Sequence, residues 1–252
     1  MPNSIRKVTI VANKVLTPKI RLIRFQFEDN HPIQFIPGQF ISVHLDDPNN
    51  SKKPIKRSYS IASMHFDKEQ NHHIDIVLTI LPDGIASQFF AHAKEGFKIN
   101  LSGPYGALTL PEELPRRLFL VATSTGVAPF RSMLPALSQL MENRDDLDVE
   151  LILGVQTKEE SLFAEDFRNF QSNHHHFQFN LCYSRAVDIS LSQDEFSGYV
   201  QSRLSALAPN PENSLVYLCG NPQMIDDAYK LLSQRGFSPR QIKREKYIHS
   251  KR

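Results

Sequence analysis

One stretch divides this chain into two kinds of sequence. PEELPRR (Pro111–Arg117) is polar and carries two prolines, and the apolar pattern differs on its two sides. Ahead of it, β-branched and alternating runs follow one another: VTIVANKVL, IRLIRFQF, FIPGQFISVHL, RSYSIAS, HIDIVLTIL and FKINLSGPYG. Thr17-Pro18, Pro37-Gly38 and the turn PDG punctuate them, and only IASQFFAHA reads as a short helix. Many strands separated by turns imply a sandwich or a barrel. Behind PEELPRR, strands alternate with helices. LFLVATS leads to a helix through FRSMLPALSQLMEN, VELILGV to a helix through SLFAEDFRNF, then come the strands FQFNLCYS and SLVYLCG. The helix PQMIDDAYKLLSQRG stops at Gly236. This βαβ order requires a parallel, doubly wound sheet. The chain is therefore expected to form two domains, an antiparallel β-barrel over residues 1–112 and an α/β doubly wound parallel-sheet domain over residues 113–252.

Composition narrows the function. The 252 residues are 40% apolar and 22% charged, which suits globular domains and carries no disorder signature. A formal net charge of +2 is too weak to imply a nucleic-acid partner. No apolar run approaches the length of a membrane span, and MPNSIRKVTIVANK lacks the long apolar core of a signal peptide, so the expected location is cytoplasmic. Cys182 and Cys219 are the only cysteines, so neither a disulfide framework nor a zinc or iron–sulfur site can be built from cysteine alone. NHHH (Asn173–His176) could suggest a metal. Consecutive residues converge poorly on one ion, however, and a solvated loop with no metal is the preferred reading.

A doubly wound sheet binds ligands at the C-terminal ends of its strands. Three strand ends stand out here. TSTGVAPF (Thr123–Phe130) has small residues that would let a diphosphate approach a helix N-terminus, although it lacks the G-x-G-x-x-G fingerprint and also reads as an ordinary strand-to-helix turn. In CYSRA, Ser184 and Arg185 could hold an extra phosphate, or Arg185 could be a surface arginine. In CGNPQM, Cys219 would sit at the mouth of the sheet, or be a core thiol. In the barrel part, alternation puts Arg57 and Tyr59 of RSYSIAS on one strand face, with Ser58 and Ser60 on the other. A cation beside an aromatic is either a plain cation–π pair or a holder for something flat and phosphorylated.

Taken in order, Arg57-x-Tyr59-Ser60, PDGIAS, GPYG, TSTGVAPF, CGNPQM and REKYI resemble the ferredoxin–NADP reductase superfamily across nearly the whole chain. The resemblance implies a flavin-binding barrel followed by an NAD(P)-binding α/β domain. It assigns Arg57 to the flavin diphosphate, Tyr59 to packing on the isoalloxazine ring and Ser60 to a hydrogen bond near the reactive N5. Val77, Leu78 and Thr79 resemble the strand beside the flavin. Gly84, Ile85, Ala86 and Ser87 resemble the diphosphate turn of FAD-binding rather than FMN-binding members, and GPYG (Gly103–Gly106) the turn that closes the flavin domain. Thr125 and Gly126 resemble the site for the nicotinamide nucleotide diphosphate. Ser124 departs from the family, standing where many members have Gly; a positive φ there would strain it. Cys219, followed by Gly220, resembles the cysteine that positions the nicotinamide for hydride transfer, and Glu245 the carboxylate that shapes the active site. The family often ends on an aromatic covering the flavin, whereas this chain continues past Tyr247 as IHSKR.

Ser184, Arg185 and Tyr199 resemble the set that holds the 2′-phosphate and adenine of NADPH, which makes NADP(H) the preferred cofactor over NAD(H). The family role implied is that of an FAD-dependent enzyme. It would move a hydride between NADP(H) and FAD, and single electrons between FAD and a ferredoxin or flavodoxin on a separate chain, working as a monomer. One alternative is a free-flavin reductase or the reductase component of an oxygenase. Another is a non-enzymatic flavin-binding electron-transfer subunit.

Overall fold

The structure, a computed structural model, describes residues 5–29, 31–46, 54–64, 72–185 and 190–248. It divides into two compact units. The first is built on the residues up to Thr109 together with Ala128–Pro135, the second on Leu110–Val127 together with the residues from Ala136 onward.

The first unit is antiparallel. Strands β1 (Arg6–Thr17), β2 (Ile20–Phe27), β3 (Phe40–Leu45), β4 (Ile55–Ser60), β5 (His73–Thr79) and β6 (Lys98–Tyr105) lie in the order β4-β3-β6-β1-β2-β5. The two outer strands meet through an antiparallel bridge between Ile61 and Ile76, and the Ala62 N–H donates to the Asp75 carbonyl at 2.8 Å, so the sheet closes as a barrel. Bulges in β1 between Ile10 and Ala12 and between Val15 and Thr17 supply the bend that closure needs. Inward residues such as Ile10, Ile23, Phe25, Ile41 and Ile61 are buried. Helix α1 (Ile85–His92) adds Phe90 to this core, edge-on to Phe25 with ring centroids 6.2 Å apart. The Asn13 amide ties the helix end to β1, donating to the carbonyls of Phe90 at 2.8 Å and Ala93 at 2.7 Å.

The second unit is parallel. Strands β7 (Arg117–Thr123), β8 (Asp148–Val155), β9 (Phe177–Tyr183), β10 (Glu195–Ser197), β11 (Ser214–Gly220) and β12 (Ile242–Lys246) run in the order β10-β9-β8-β7-β11-β12. The direction of winding reverses between β7 and β11, which makes this the switch point where such sheets open a crevice. Between the strands lie α2 (Ala128–Glu142), α3 (Ala164–Asn173), α4 (Val200–Ala206) and α5 (Pro222–Gln234). The antiparallel barrel and the doubly wound parallel sheet are the architecture expected from the sequence.

Three details differ. The helix expected over SLFAEDFRNF starts only at Ala164, because Phe163 takes a left-handed conformation at φ 58°, and it continues to Asn173. Strands β10 and β12 carry no clear periodic signal, whereas α4 does, with Val200 and Leu204 buried one helical turn apart. β10 has three residues, and β12 (IKREK) has a single buried apolar side chain, Ile242. In NHHH only His174 leaves the expected solvated setting, stacking on Phe170 and bonding Ser138 Oγ at 2.9 Å; His175 and His176 are exposed, and His176 meets Asp148 at 2.8 Å. Among the described residues no three His, Cys, Asp or Glu side chains gather as a metal site, and no helix is long and apolar enough to cross a membrane.

Candidate functional site

In the barrel unit the expected residues lie on β4, β5 and the start of α1. β4 pairs with β3 alone in the ladder, with Val43 opposite Arg57, Ile41 opposite Tyr59 and Phe40 opposite Ser60. Arg57 and Tyr59 are half-buried on one face, Ser58 is exposed and Ser60 is 4% exposed. Tyr59 stands edge-on to Phe90, with ring centroids 6.0 Å apart and planes at 84°, so the aromatic of β4 is set against α1. Burial pushes its phenol well above the usual range, which keeps it neutral.

On β5, Val77 and Leu78 are buried and Thr79 is half-buried. The Thr79 carbonyl accepts from Ser87 Oγ at 3.3 Å, which joins this strand to the first turn of α1. Gly84 is the N-cap of α1 with an ordinary extended backbone, φ −85°. A Cβ there would lie 2.9 Å from Ser87 Oγ, the end of a side chain that can turn aside. No side chain caps this helix and its first turn holds no acidic residue, so the N–H groups of Ile85, Ala86 and Ser87 face an unblocked helix start. The GPYG turn ends β6 with Gly103 and Gly106 at φ +127° and +101°; its Tyr105 ring rests on Phe40, the ladder partner of Ser60. Guanidinium, aromatic face and uncapped helix start are the donor set that a flavin diphosphate and ring require.

In the α/β unit, β7 passes through a tight 3₁₀ turn, Ser124–Val127, into α2. Ser124 adopts φ +50°, the left-handed conformation that the departure from Gly made costly. Thr125 and Gly126 are buried. Gly126 packs directly on the end of β11: a Cβ would sit 2.4 Å from the Cys219 carbonyl oxygen and 2.7 Å from Gly220 Cα. Gly220, at φ +120°, packs in return on Thr123, whose Oγ1 would be 2.6 Å from a Cβ and accepts from the Asn221 N–H at 2.9 Å. The two strands at the switch point are thus interlocked through glycines.

Cys219 is fully buried. Across the parallel ladder its register partner is Glu245 of β12, and the Tyr247 hydroxyl is hydrogen-bonded to its thiol. Burial, reinforced by the neighbouring Glu245 charge, pushes the thiol pKa well above that of a free cysteine despite the Tyr247 bond. The thiol therefore stays protonated and is no nucleophile at neutral pH. Tyr247, which closes the REKYI motif, is also part of this cluster, and its N–H donates to the Gly220 carbonyl at 2.8 Å. His249–Arg252 of the terminal extension lie outside the described residues.

Ser184, Arg185 and Tyr199 come together at the ends of β8, β9 and β10. The Ser184 N–H donates to Val155 O at 3.0 Å, the Arg185 N–H to Gln156 O at 3.1 Å, and the Gly198 N–H to Tyr183 O at 2.9 Å. Arg185 is exposed and Tyr199 is 66% exposed, an unusual setting for an aromatic. From β9 to β11 is three strand steps, roughly 14 Å of sheet edge at the usual strand spacing. The α/β unit thus presents an aromatic and a cation at one point of its edge, and a buried thiol with a carboxylate at another. Asn221 and Pro222 of CGNPQM have a plainer use: Asn221 Oδ1 caps α5, accepting from Gln223 N at 2.8 Å and Met224 N at 3.2 Å.

Comparison with known proteins agrees with the two-domain architecture. The family model described as the oxidoreductase FAD-binding domain matches residues 7–110, and that of the oxidoreductase NAD-binding domain matches residues 120–230. The chain is 28% identical over 219 residues to the toluate 1,2-dioxygenase electron transfer component of Pseudomonas putida, covering 86% of this chain but only 60% of that protein's length. It is 26% identical over 236 residues to the ferredoxin–NADP reductase of Pseudomonas aeruginosa, with 87% of each covered. Its fold matches the crystal structure of a ferredoxin NADP+ reductase from Neisseria gonorrhoeae with bound FAD and NADP, at a TM-score of 0.81 and 24% identity, over 97% of this chain and 99% of that one.

Proposed function

The chain belongs to the ferredoxin reductase-type superfamily, as an oxidoreductase with an FAD-binding and an NAD-binding domain, and from that premise we propose that it oxidises NADPH and passes single electrons to a ferredoxin or flavodoxin on a separate chain. The observation that carries the NADPH reading is the convergence of Ser184, Arg185 and exposed Tyr199 on one stretch of the sheet edge. A guanidinium and a hydroxyl suit a 2′-phosphate, and an exposed ring suits adenine.

FAD, when bound, supplies the two-electron to one-electron exchange. The residues of this chain hold and orient the reactants. Arg57 and the N–H groups at the start of α1 would neutralise the diphosphate. Tyr59 would pack on the ring, and Ser60 would offer its hydroxyl at the ring edge. Val77, Leu78 and Thr79 would flank it. Thr125 and Gly126 would receive the nucleotide diphosphate at the switch point. Cys219, kept protonated, and Glu245 would shape the bed on which the nicotinamide ring is oriented, with positioning as the whole of the thiol's contribution. We place the boundary between the two functional domains at 112/113, close to where the compact units divide at Thr109 and Leu110.

A second reading, a reductase component serving an oxygenase, draws support from the toluate dioxygenase relative, of which the chain spans 60%. The test is an anaerobic absorbance titration of the FAD-loaded protein with NADPH and, separately, with NADH. Bleaching at lower NADPH concentration is expected, and Arg185→Ala should weaken NADPH while leaving NADH little changed. Preference for NADH would favour the oxygenase-component reading, and no bleaching by either would leave a flavin-binding module. Turnover with ferredoxin or flavodoxin, set against turnover with free FMN, separates the carrier-dependent roles.

A further inference from the structure

Behind the Ser184–Arg185 turn lies a knot of charge that the cofactor assignments do not use. Glu195, the first residue of β10, is 8% exposed. One carboxylate oxygen accepts from the Tyr183 hydroxyl at 2.8 Å and faces Arg168 at 3.2 Å. The other accepts from the Ser192 N–H at 3.0 Å and faces Lys158 at 2.9 Å. Arg168 also holds Asp194 at 2.7 Å, and Lys158 donates to the Ser190 carbonyl at 2.9 Å. A single carboxylate therefore ties together β9, β10, α3 and the turn after β8.

Its position matters more than its strength. Tyr183 immediately precedes Ser184 and Arg185, and it is held from two sides: its carbonyl by Gly198, its hydroxyl by Glu195. β10 pairs with β9 through three residues and delivers Gly198 and Tyr199 at its end. Glu195 thus anchors the roots of both arms, the one ending in Arg185 and the one ending in Tyr199. Replacing buried charge by apolar packing is often neutral or better for stability, so stability alone does not account for a buried carboxylate with this many donors.

We propose that Glu195 is a positioning residue for the adenosine end of the nicotinamide nucleotide site, acting through Tyr183 on Arg185 and through β10 on Tyr199. The inference rests on the reading of these residues as a nucleotide site. It also predicts a pattern in the kinetics. An error in placing the adenosine end weakens ground-state binding and leaves the reacting end untouched, so KM moves and kcat does not.

The test uses the FAD-loaded full chain with ferricyanide as electron acceptor, comparing wild type, Glu195→Gln and Tyr183→Phe. Both variants should raise the KM for the preferred nucleotide about five- to tenfold while kcat stays within about twofold. If NADPH is preferred, the rise should be larger for NADPH than for NADH, because Arg185 would read the 2′-phosphate. A lowered melting temperature with unchanged KM would make the knot merely structural and overturn the proposal, as would an equal fall in kcat with both nucleotides. If Glu195→Gln fails to fold, Tyr183→Phe, which removes one hydroxyl and keeps the packing, decides alone. Failure of the NADPH reading looks different: the wild type itself would prefer NADH and Arg185→Ala would be neutral. The KM of the two variants for NADH would then support or overturn the role of Glu195.

Discussion

At the scale of single residues, burial decides chemistry. Cys219 and Cys182 are both almost inaccessible, and burial pushes the Cys182 thiol up to about 12 and Cys219 well above its free value. Neither thiol is expected to react with Ellman's reagent at pH 8 in the folded protein, and both should titrate after denaturation. A fast native thiol would show that Cys219 is open and more acidic than its surroundings imply. Cys219→Ala should slow single-turnover hydride transfer about tenfold while the flavin stays bound, since only positioning is lost; an unchanged rate would return Cys219 to the core. The sequence placed Cys219 at a strand end but could not report its ionisation, which depends on Glu245 and Tyr247 more than twenty positions away in the chain.

At the scale of elements, two close fits can be tested. The turn between β7 and α2 lies against the end of β11 so tightly that Gly126→Ala has no room for its methyl group. The obstructing atoms are backbone, which cannot turn aside, so the variant should lose about 1–3 kcal/mol of stability and bind nucleotide more weakly. Chemical denaturation and a nucleotide titration would check both, and a variant as stable as wild type would mean that the strand ends are looser than described. The edge strand β10 supplies the other case. Burial works to raise the Glu195 carboxyl, but the Ser192 N–H, Lys158 and Tyr183 outweigh it and hold the pKa at about 2. The folded pKa lies below the unfolded one, so the stabilisation is complete above about pH 4.5 and is lost as pH falls toward 2. With partners partly open to solvent, it amounts to about 2 kcal/mol. Acid unfolding curves of wild type and Glu195→Gln should therefore converge below pH 4.5; parallel curves would mean that Glu195 titrates normally. Neither fit was legible locally. In sequence Gly126 resembles part of a diphosphate turn, and its packing on Cys219 follows only from strand order. Glu195 sits in a three-residue strand without periodicity.

At the scale of the whole molecule, the compact units do not follow the chain without interruption. Ala128–Pro135 groups with the barrel unit, where Ser132 Oγ accepts from the Gly38 N–H at 3.1 Å and Arg131 donates to the Ala62 carbonyl at 2.7 Å. A fragment of residues 1–112 lacks these contacts. It should retain FAD more weakly than the full chain, as flavin fluorescence on dilution would report; equal retention would make the barrel self-sufficient. What the sequence by itself determined is the class of each half. A period of two with frequent turns can bury one strand face only in an antiparallel sheet, and strands alternating with helices must run parallel. Both signals are local, carried within windows of ten or fifteen residues. Tertiary structure alone decided which groups are brought together: Glu245 and Tyr247 beside Cys219, Tyr59 against Phe90, and the backbone of Gly198, one residue before Tyr199, against that of Tyr183. Those meetings depend on strand order and register, which are set by the packing of the complete sheets and leave no periodic trace in the segments that take part.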